Sequence, residues 1–220
     1  MLLELKRLTI PPGHKVLLQD VSWQEFEKIL EDLGEHRATK IAYDQGLLEI
    51  MTPLSEHEVR KVLVSNLVEA LLEELEIEFW CLGSTTFKNE LMKQGIEPDN
   101  CFYIKNERAI RGKNRLDLAF DPPPDLALEI ELTSRPHPHI YAALGVPELW
   151  RFESGNLQIN RLQESHYIEV EYSLIFPNFP LKEIIPYYLN QCNTQGRNKT
   201  MKAFRQWVRQ EKIKNQSLNY

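Results

Sequence analysis

The sequence predicts an α/β protein of the α+β kind, a mixed central sheet flanked by helices. Three observations predict it. Two Ser-x-x-Glu boxes each open an amphipathic helical run; short aromatic and β-branched segments recur between Glu78 and Phe152; and a nearly continuous apolar strand, Leu126 to Leu132, is followed by a short helix and a further strand.

In chain order, Ser22-Trp23-Gln24-Glu25 is a capping box. Phe26, Ile29, Leu30 and Leu33 follow at helical spacing, and Gly34 ends the helix. Lys40 to Tyr43 and Leu47 to Met51 flank Asp44-Gln45-Gly46, the pattern of a β-hairpin. Ser55-Glu56-His57-Glu58 reads as a second capping box, opening a helix from Glu56 to Glu76. Its apolar stripe is Val59, Val62, Leu63, Leu67, Ala70, Leu71 and Leu75.

Strands are expected at Glu78 to Leu82, Thr85 to Lys88 and Asn100 to Ile104. A charged connection, Lys105 to Arg115, leads to the next strand. Asp121-Pro122-Pro123-Pro124 is a rigid turn, because consecutive prolines lack the donors of a helix or a central ladder. After Leu126 to Leu132 come a helix from Pro138 to Leu144, ended by Gly145, and a strand from Glu148 to Phe152. A second hairpin (Leu157 to Leu162, Tyr167 to Tyr172) and helices at Leu181 to Gln191 and Thr200 to Lys212 close the chain, with Asn193 to Lys199 read as a mobile polar loop.

The 220 residues, 42% hydrophobic and 26% charged, suit one domain spanning 1–220. Its core is expected at about 40–155, with an appended hairpin and helices at 156–214. No apolar run is long enough to cross a bilayer, and Met1 to Arg7 lacks the core of a signal peptide. The expectation is a cytoplasmic protein without a membrane partner. Cys81, Cys101 and Cys192 are scattered and form no zinc pattern, so they read as buried thiols. The net charge of −6 argues against a wholly basic nucleic-acid coat but leaves room for a local basic groove.

The chemically unusual feature is Glu129 and Glu131 within Leu126 to Leu132. Two residues apart on a strand they share a face, roughly 7 Å apart. Two readings are open. On an edge strand the carboxylates are a solvated, aggregation-resistant face. On a central strand they are costly unless a cation lies between them, and a hard divalent ion suits carboxylate oxygens. Glu97-Pro98-Asp99 adds an acidic residue at the start of the Asn100 strand, with Asp99 pointing out from the strand end. Asp125 lies four residues before Glu129, about 13 Å along the strand, too far to share one ion, so it is read as fixing the turn or capping the strand.

The order of elements resembles the αβββαβ core of the PD-(D/E)xK nuclease superfamily. The chain is similar, over roughly residues 20 to 210, to a bacterial family of restriction-endonuclease-like proteins. Four segments carry the resemblance: Leu48-Glu49-Ile50-Met51-Thr52-Pro53, Glu97-Pro98-Asp99, Pro124-Asp125-Leu126-Ala127-Leu128-Glu129-Ile130 and Tyr141-Ala142-Ala143-Leu144-Gly145-Val146-Pro147-Glu148-Leu149-Trp150.

The resemblance implies hydrolysis of phosphodiester bonds in DNA, with Mg²⁺ or Mn²⁺ held by Asp99, Glu129 and the Ile130 carbonyl. It implies catalytic roles for Asp99, Glu129, Glu131 and, from the long helix, Glu58. Glu131 departs from the pattern, which expects a lysine to orient the attacking water and stabilise charge on the phosphate. A glutamate there can accept a proton from the water or hold a second metal. Glu49 and His57 also occupy recurring polar positions, with structural roles equally open. A second reading is a nuclease fold that has lost its chemistry and persists as a DNA-binding or protein-interaction module; a third is hydrolysis of another phosphate ester. Nucleases of this size often pair, so a homodimer is a further expectation. Phosphate contacts are expected from basic residues at Lys105 to Arg115 and from Arg197 to Lys214, although in the last helix these also read as the wet side of an Ala203, Phe204, Trp207 and Val208 stripe.

Overall fold

The computed structural model describes residues 8–34, 38–83, 85–113, 116–131 and 137–217, and within them eleven strands form two sheets. The elements are β1 (Lys15–Leu18), α1 (Trp23–Leu33), β2 (Lys40–Asp44), β3 (Leu47–Met51), α2 (Ser55–Glu74), β4 (Trp80–Cys81), β5 (Phe87–Asn89), β6 (Gln94–Ile96), β7 (Asn100–Tyr103), α3 (Glu107–Ile110), β8 (Leu126–Glu131), α4 (Pro138–Ala143), β9 (Glu148–Glu153), β10 (Asn156–Gln163), β11 (His166–Val170), α5 (Leu181–Gln195) and α6 (Arg197–Ser217). The five-stranded sheet runs β1-β3-β2-β6-β5 and the six-stranded sheet β11-β10-β9-β8-β7-β4. Only the β8–β9 pair is parallel, joined through α4, so the second sheet is mixed as expected.

In α1 the Ser22 box forms in both directions. Ser22 Oγ accepts from the Glu25 amide at 3.3 Å, and Glu25 Oε2 accepts from the Ser22 amide at 2.8 Å. Phe26 on its buried face stacks on Tyr43 of β2, ring centroids 4.4 Å apart, joining helix to hairpin. Gly95 in β6 lies directly beneath this ring, where a Cβ would come within 3.0 Å of Phe26 Cζ.

The period of two along β8 divides its surroundings. Leu126, Leu128 and Ile130 face α2, α5 and α6 in a core shared with Leu67, Leu71, Trp150 and Phe204. On the opposite side Ala127 packs with Ile140, Tyr141 and Leu149, and Glu129 faces Tyr141 of α4. With β7 on one flank and β9 on the other, β8 is a central strand. The solvated-edge reading is therefore overturned for Glu129, which is buried.

Several expectations need correction. The second capping box does not form: Ser55 is already helical, Leu54 is the N-cap without a side-chain bond, and Glu58 turns to Lys61 and His57. Val59 and Val62 are exposed, because the buried stripe of α2 runs through His57, Val64, Leu67, Val68 and Leu71. The strand expected at Thr85 to Lys88 forms as β5 two residues later, and it pairs with β6 in the five-stranded sheet and not with β4 or β7. The Asn193 to Lys199 stretch is helical apart from Gly196, whose φ of 89° separates α5 from α6; its polar side chains face water while Cys192, Thr200 and Met201 are buried. The charged connection after β7 contains the one-turn α3, and β1 and β6 join the first sheet unannounced. Leu132 and Arg115 lie outside the described residues, of which none belongs to a helix long and apolar enough to cross a membrane.

Candidate active site

The two sheets meet at a reciprocal pair of bonds. The Ile41 amide donates to Glu97 Oε2 at 3.2 Å, and the Glu97 amide donates to the Ile41 carbonyl at 3.2 Å. This clamp places Lys40, the first residue of β2, beside Asp99, two residues beyond Glu97. Asp99 stands just before the β7 strand, and its carboxylate does not reach solvent. It is fully buried, because its amide is tied to the Leu128 carbonyl at 3.1 Å and its carboxylate turns inward over β8.

There Asp99 meets Glu129. Asp99 Oδ2 accepts from His57 Nε2 at 3.0 Å and from the Ile130 amide at 2.6 Å. Glu129 Oε1 accepts from the Tyr141 hydroxyl. Asp99 Oδ1 and Glu129 Oε2 then share one partner, the Lys40 ammonium, at 2.8 and 3.2 Å. Two carboxylates, one just before β7 and one on β8, thus converge on a single cation, as central burial demands.

The electrostatics follow from this geometry. Burial works against the Lys40 ammonium, but Glu129 and Asp99 outweigh it and hold its pKa above the usual lysine value. For Asp99, burial raises the pKa and is overridden by Lys40 and His57, so it lies well below the carboxylate range. Glu129 goes the other way: burial dominates and, with the Asp99 charge and despite Lys40 and Tyr141, pushes it up to about 7. Two like charges in one buried site cannot both ionise as easily as one. His57, disfavoured as a cation by burial, is nonetheless raised above its usual value by its bond to Asp99.

Of the residues expected in the site, Asp99 and Glu129 come together, and Ile130 joins them through its amide, which holds Asp99. Glu58 stands one step back: nearly half exposed, it reaches His57 Nδ1 at 3.3 Å and Lys61 at 2.8 Å. The Glu131 backbone ends β8 opposite Glu153, while its side chain lies outside the described residues. Asp125 caps as expected, accepting from the Ile104 and Asn106 amides at 2.7 and 3.1 Å. Glu49 is bound by Lys15 at 2.8 Å.

Sequence reasoning missed Lys40 and Tyr141 and undervalued His57. A signal for Lys40 existed: Lys40, Ala42 and Asp44 alternate with Ile41 and Tyr43, which marks the face of β2 opposite the α1 core. The expected basic surface is largely committed elsewhere. Arg205 and Arg209 grip Glu73 and Glu74 at the end of α2, Arg111 grips Glu107, and Lys113 grips Asp121.

For a divalent ion, the described residues contain no convergence of three His, Cys, Asp or Glu side chains. They do contain two carboxylate oxygens already facing one cation. Magnesium is commonly bound by one or two carboxylates with water and substrate phosphate completing its shell, so this all-oxygen pair fits.

A mixed sheet covered by helices is the architecture of a restriction-endonuclease-like protein. Residues 23–190 match the model of the Uma2 family, described as "Putative restriction endonuclease", and the chain belongs to that family. A crystal structure of a "putative nuclease belonging to DUF820" from Anabaena variabilis ATCC 29413 is similar at 15% identity with a TM-score of 0.47, covering 69% of this chain and 86% of that one. No curated protein matches the chain in sequence.

Proposed function

We propose that the protein is a metal-dependent nuclease that hydrolyses phosphodiester bonds in DNA, with Asp99 and Glu129 holding Mg²⁺ or Mn²⁺. The observation that carries this reading is the convergence of Asp99 Oδ1 and Glu129 Oε2 on one cation position in an otherwise buried site. Membership of a family described as "Putative restriction endonuclease" supports phosphodiester chemistry with DNA as the substrate.

The chain's own groups divide the work. His57 and the Ile130 amide fix Asp99, and Tyr141 fixes Glu129, so the two carboxylates that would hold a metal are oriented before it binds. A cation at the pair also favours the ionised form of Glu129 that burial alone opposes. A divalent ion bound there would polarise the scissile phosphate and lower the pKa of its water.

Lys40 favours a second reading. Its ammonium satisfies both carboxylates without any metal, and the lysine expected beside Glu129 is Glu131, so a fold that binds DNA without cutting it also suits these residues. Cleavage separates the two. Plasmid and short single-stranded DNA are incubated with Mg²⁺ or Mn²⁺, with EDTA, and with folded Asp99→Asn and Glu129→Gln proteins. Cutting that needs metal and both carboxylates supports the nuclease; a folded protein that binds DNA and never cuts supports the silent module.

A further inference from the structure

The third position of the Glu129-Ile130-Glu131 element carries no positive charge, yet the structure brings one to the same place from another sheet. Lys40 lies 59 residues before Asp99 and 89 before Glu129, and its ammonium nevertheless bonds to both. Its position is built. The Ile41–Glu97 clamp locks β2 in register with the segment that carries Asp99, and pairing of Lys40 with Met51 and of Ala42 with Ile96 holds the strand between β3 and β6.

Exposure orders the groups. The Asp99 side chain is fully enclosed, whereas those of Glu129 and Lys40 retain 11% and 15% of their surface. Solvent therefore touches Lys40 and Glu129 but not Asp99, so a phosphate would meet those two side chains first. A lysine also has the right mechanics for two positions: its charge sits on a flexible four-carbon stem and forms hydrogen bonds in any direction. A divalent ion would claim the two oxygens that Lys40 now bridges, and the ammonium can give way toward the open side without leaving the site.

We propose that Lys40 is a catalytic residue of this site, supplying from the neighbouring sheet the positive charge on the scissile phosphate that Glu131 cannot supply. The proposal rests on the nuclease reading. It assigns Lys40 two successive partners: the carboxylate pair before metal loads, and the non-bridging phosphate oxygens, where negative charge grows during hydrolysis, afterwards.

The test uses the full chain as wild type, Lys40→Met, Lys40→Ala and Lys40→Arg, with folding checked by circular dichroism. Mn²⁺ binding is read by electron paramagnetic resonance, and cleavage is measured at saturating metal. Lys40→Met is expected to bind Mn²⁺ at least as tightly as wild type, because no ammonium contests the oxygens, and to cleave about 100- to 1,000-fold more slowly, the scale for losing one charge-stabilising donor. Lys40→Arg should retain part of the rate, and methylammonium should restore part of it to Lys40→Ala. A lysine that only neutralises the buried pair gives a different result: Lys40→Met cleaves at the wild-type rate once metal saturates it, which overturns the proposal and leaves the nuclease reading intact. A wild-type protein that binds Mn²⁺ and never cleaves removes the nuclease reading, and the role of Lys40 with it.

Discussion

In the absence of metal, Lys40→Met should destabilise the fold by an amount that depends on pH. Lys40 is mostly buried and bridges a fully enclosed aspartate and a glutamate with 11% of its side chain exposed, so the relevant scale is that of breaking a buried ion pair, about 3–5 kcal/mol, and not the 0–1 kcal/mol of a surface pair. The penalty has an outlet, because Glu129 can take up a proton. Its folded pKa is already pushed up to about 7 with the lysine present, and removing the ammonium lifts it further. A carboxyl whose folded pKa is raised binds more protons in the native than in the unfolded state, so its stability contribution is present at low pH and lost as pH rises through the folded value. His57 acts in the same sense, since Lys40 is one of the influences holding its pKa down.

Below pH of about 6, where Glu129 is protonated in both proteins, the cost of Lys40→Met should be about 1–2 kcal/mol. Above pH of about 7 it should grow by about 1.4 kcal/mol per pH unit toward the full value. Urea denaturation in EDTA at pH of about 5.5 and 8.5 measures this directly, with unchanged m values as the check on two-state behaviour. A cost below about 1 kcal/mol at the higher pH, or the same cost at both, would show that the carboxylates do not depend on this lysine.

Other expectations follow from single contacts. Tyr141→Phe removes the hydroxyl that Glu129 Oε1 accepts from, and should cost about 1–2 kcal/mol in thermal denaturation, more above neutral pH than below it. Gly95→Ala puts a Cβ within 3.0 Å of Phe26 Cζ and 3.2 Å of Cε1, and should cost about 1–3 kcal/mol; an unchanged melting temperature would mean the Phe26–Tyr43 stack is looser than it stands. Glu74→Gln loses its charge pairing with Arg205 and Arg209, so its melting temperature should fall at low salt and the difference should fade at about 1 M NaCl. Persistence of the full difference at high salt would point to packing instead of charge.

Elements whose signal is local were legible in the sequence. The Ser22 box, the hairpin around Gln45 and Gly46, and the strand–helix–strand run from Leu126 to Glu153 rest on spacing and turn chemistry that neighbouring residues settle among themselves. Elements defined by a distant partner were not. Gln94-Gly95-Ile96 is three residues long, interrupted by glycine, and becomes a strand because Ala42 and Phe87 pair with it from either side. The Ser55 box does not form because the helix begins one residue early, with Leu54 at the N-cap, and Glu58 bonds to His57 and Lys61 instead.

The site divides in the same way. Glu129 announces itself as an acid in an apolar strand, where burial needs an explanation, and Asp99 as an acid beside Pro98 at the start of the neighbouring strand. Alternation along β2 puts Lys40 on the face away from α1, but a lysine at the start of a hairpin strand is ordinary, and what that face meets appears only when the Ile41–Glu97 clamp brings one sheet against the other. The tail arginines carry two readings, phosphate contacts or a wet helix face, and the structure adds a third partner, because the acidic end of α2 lies close enough to bind them.

The account depends above all on Asp99 and Glu129 forming one cation site, and Mn²⁺ binding to wild type, Asp99→Asn and Glu129→Gln, read by electron paramagnetic resonance, tests that most directly. The expected result is a single site in wild type that is lost or greatly weakened in both variants while their circular dichroism spectra stay native. Manganese binding of equal strength and stoichiometry in all three proteins, or none in wild type, would contradict it.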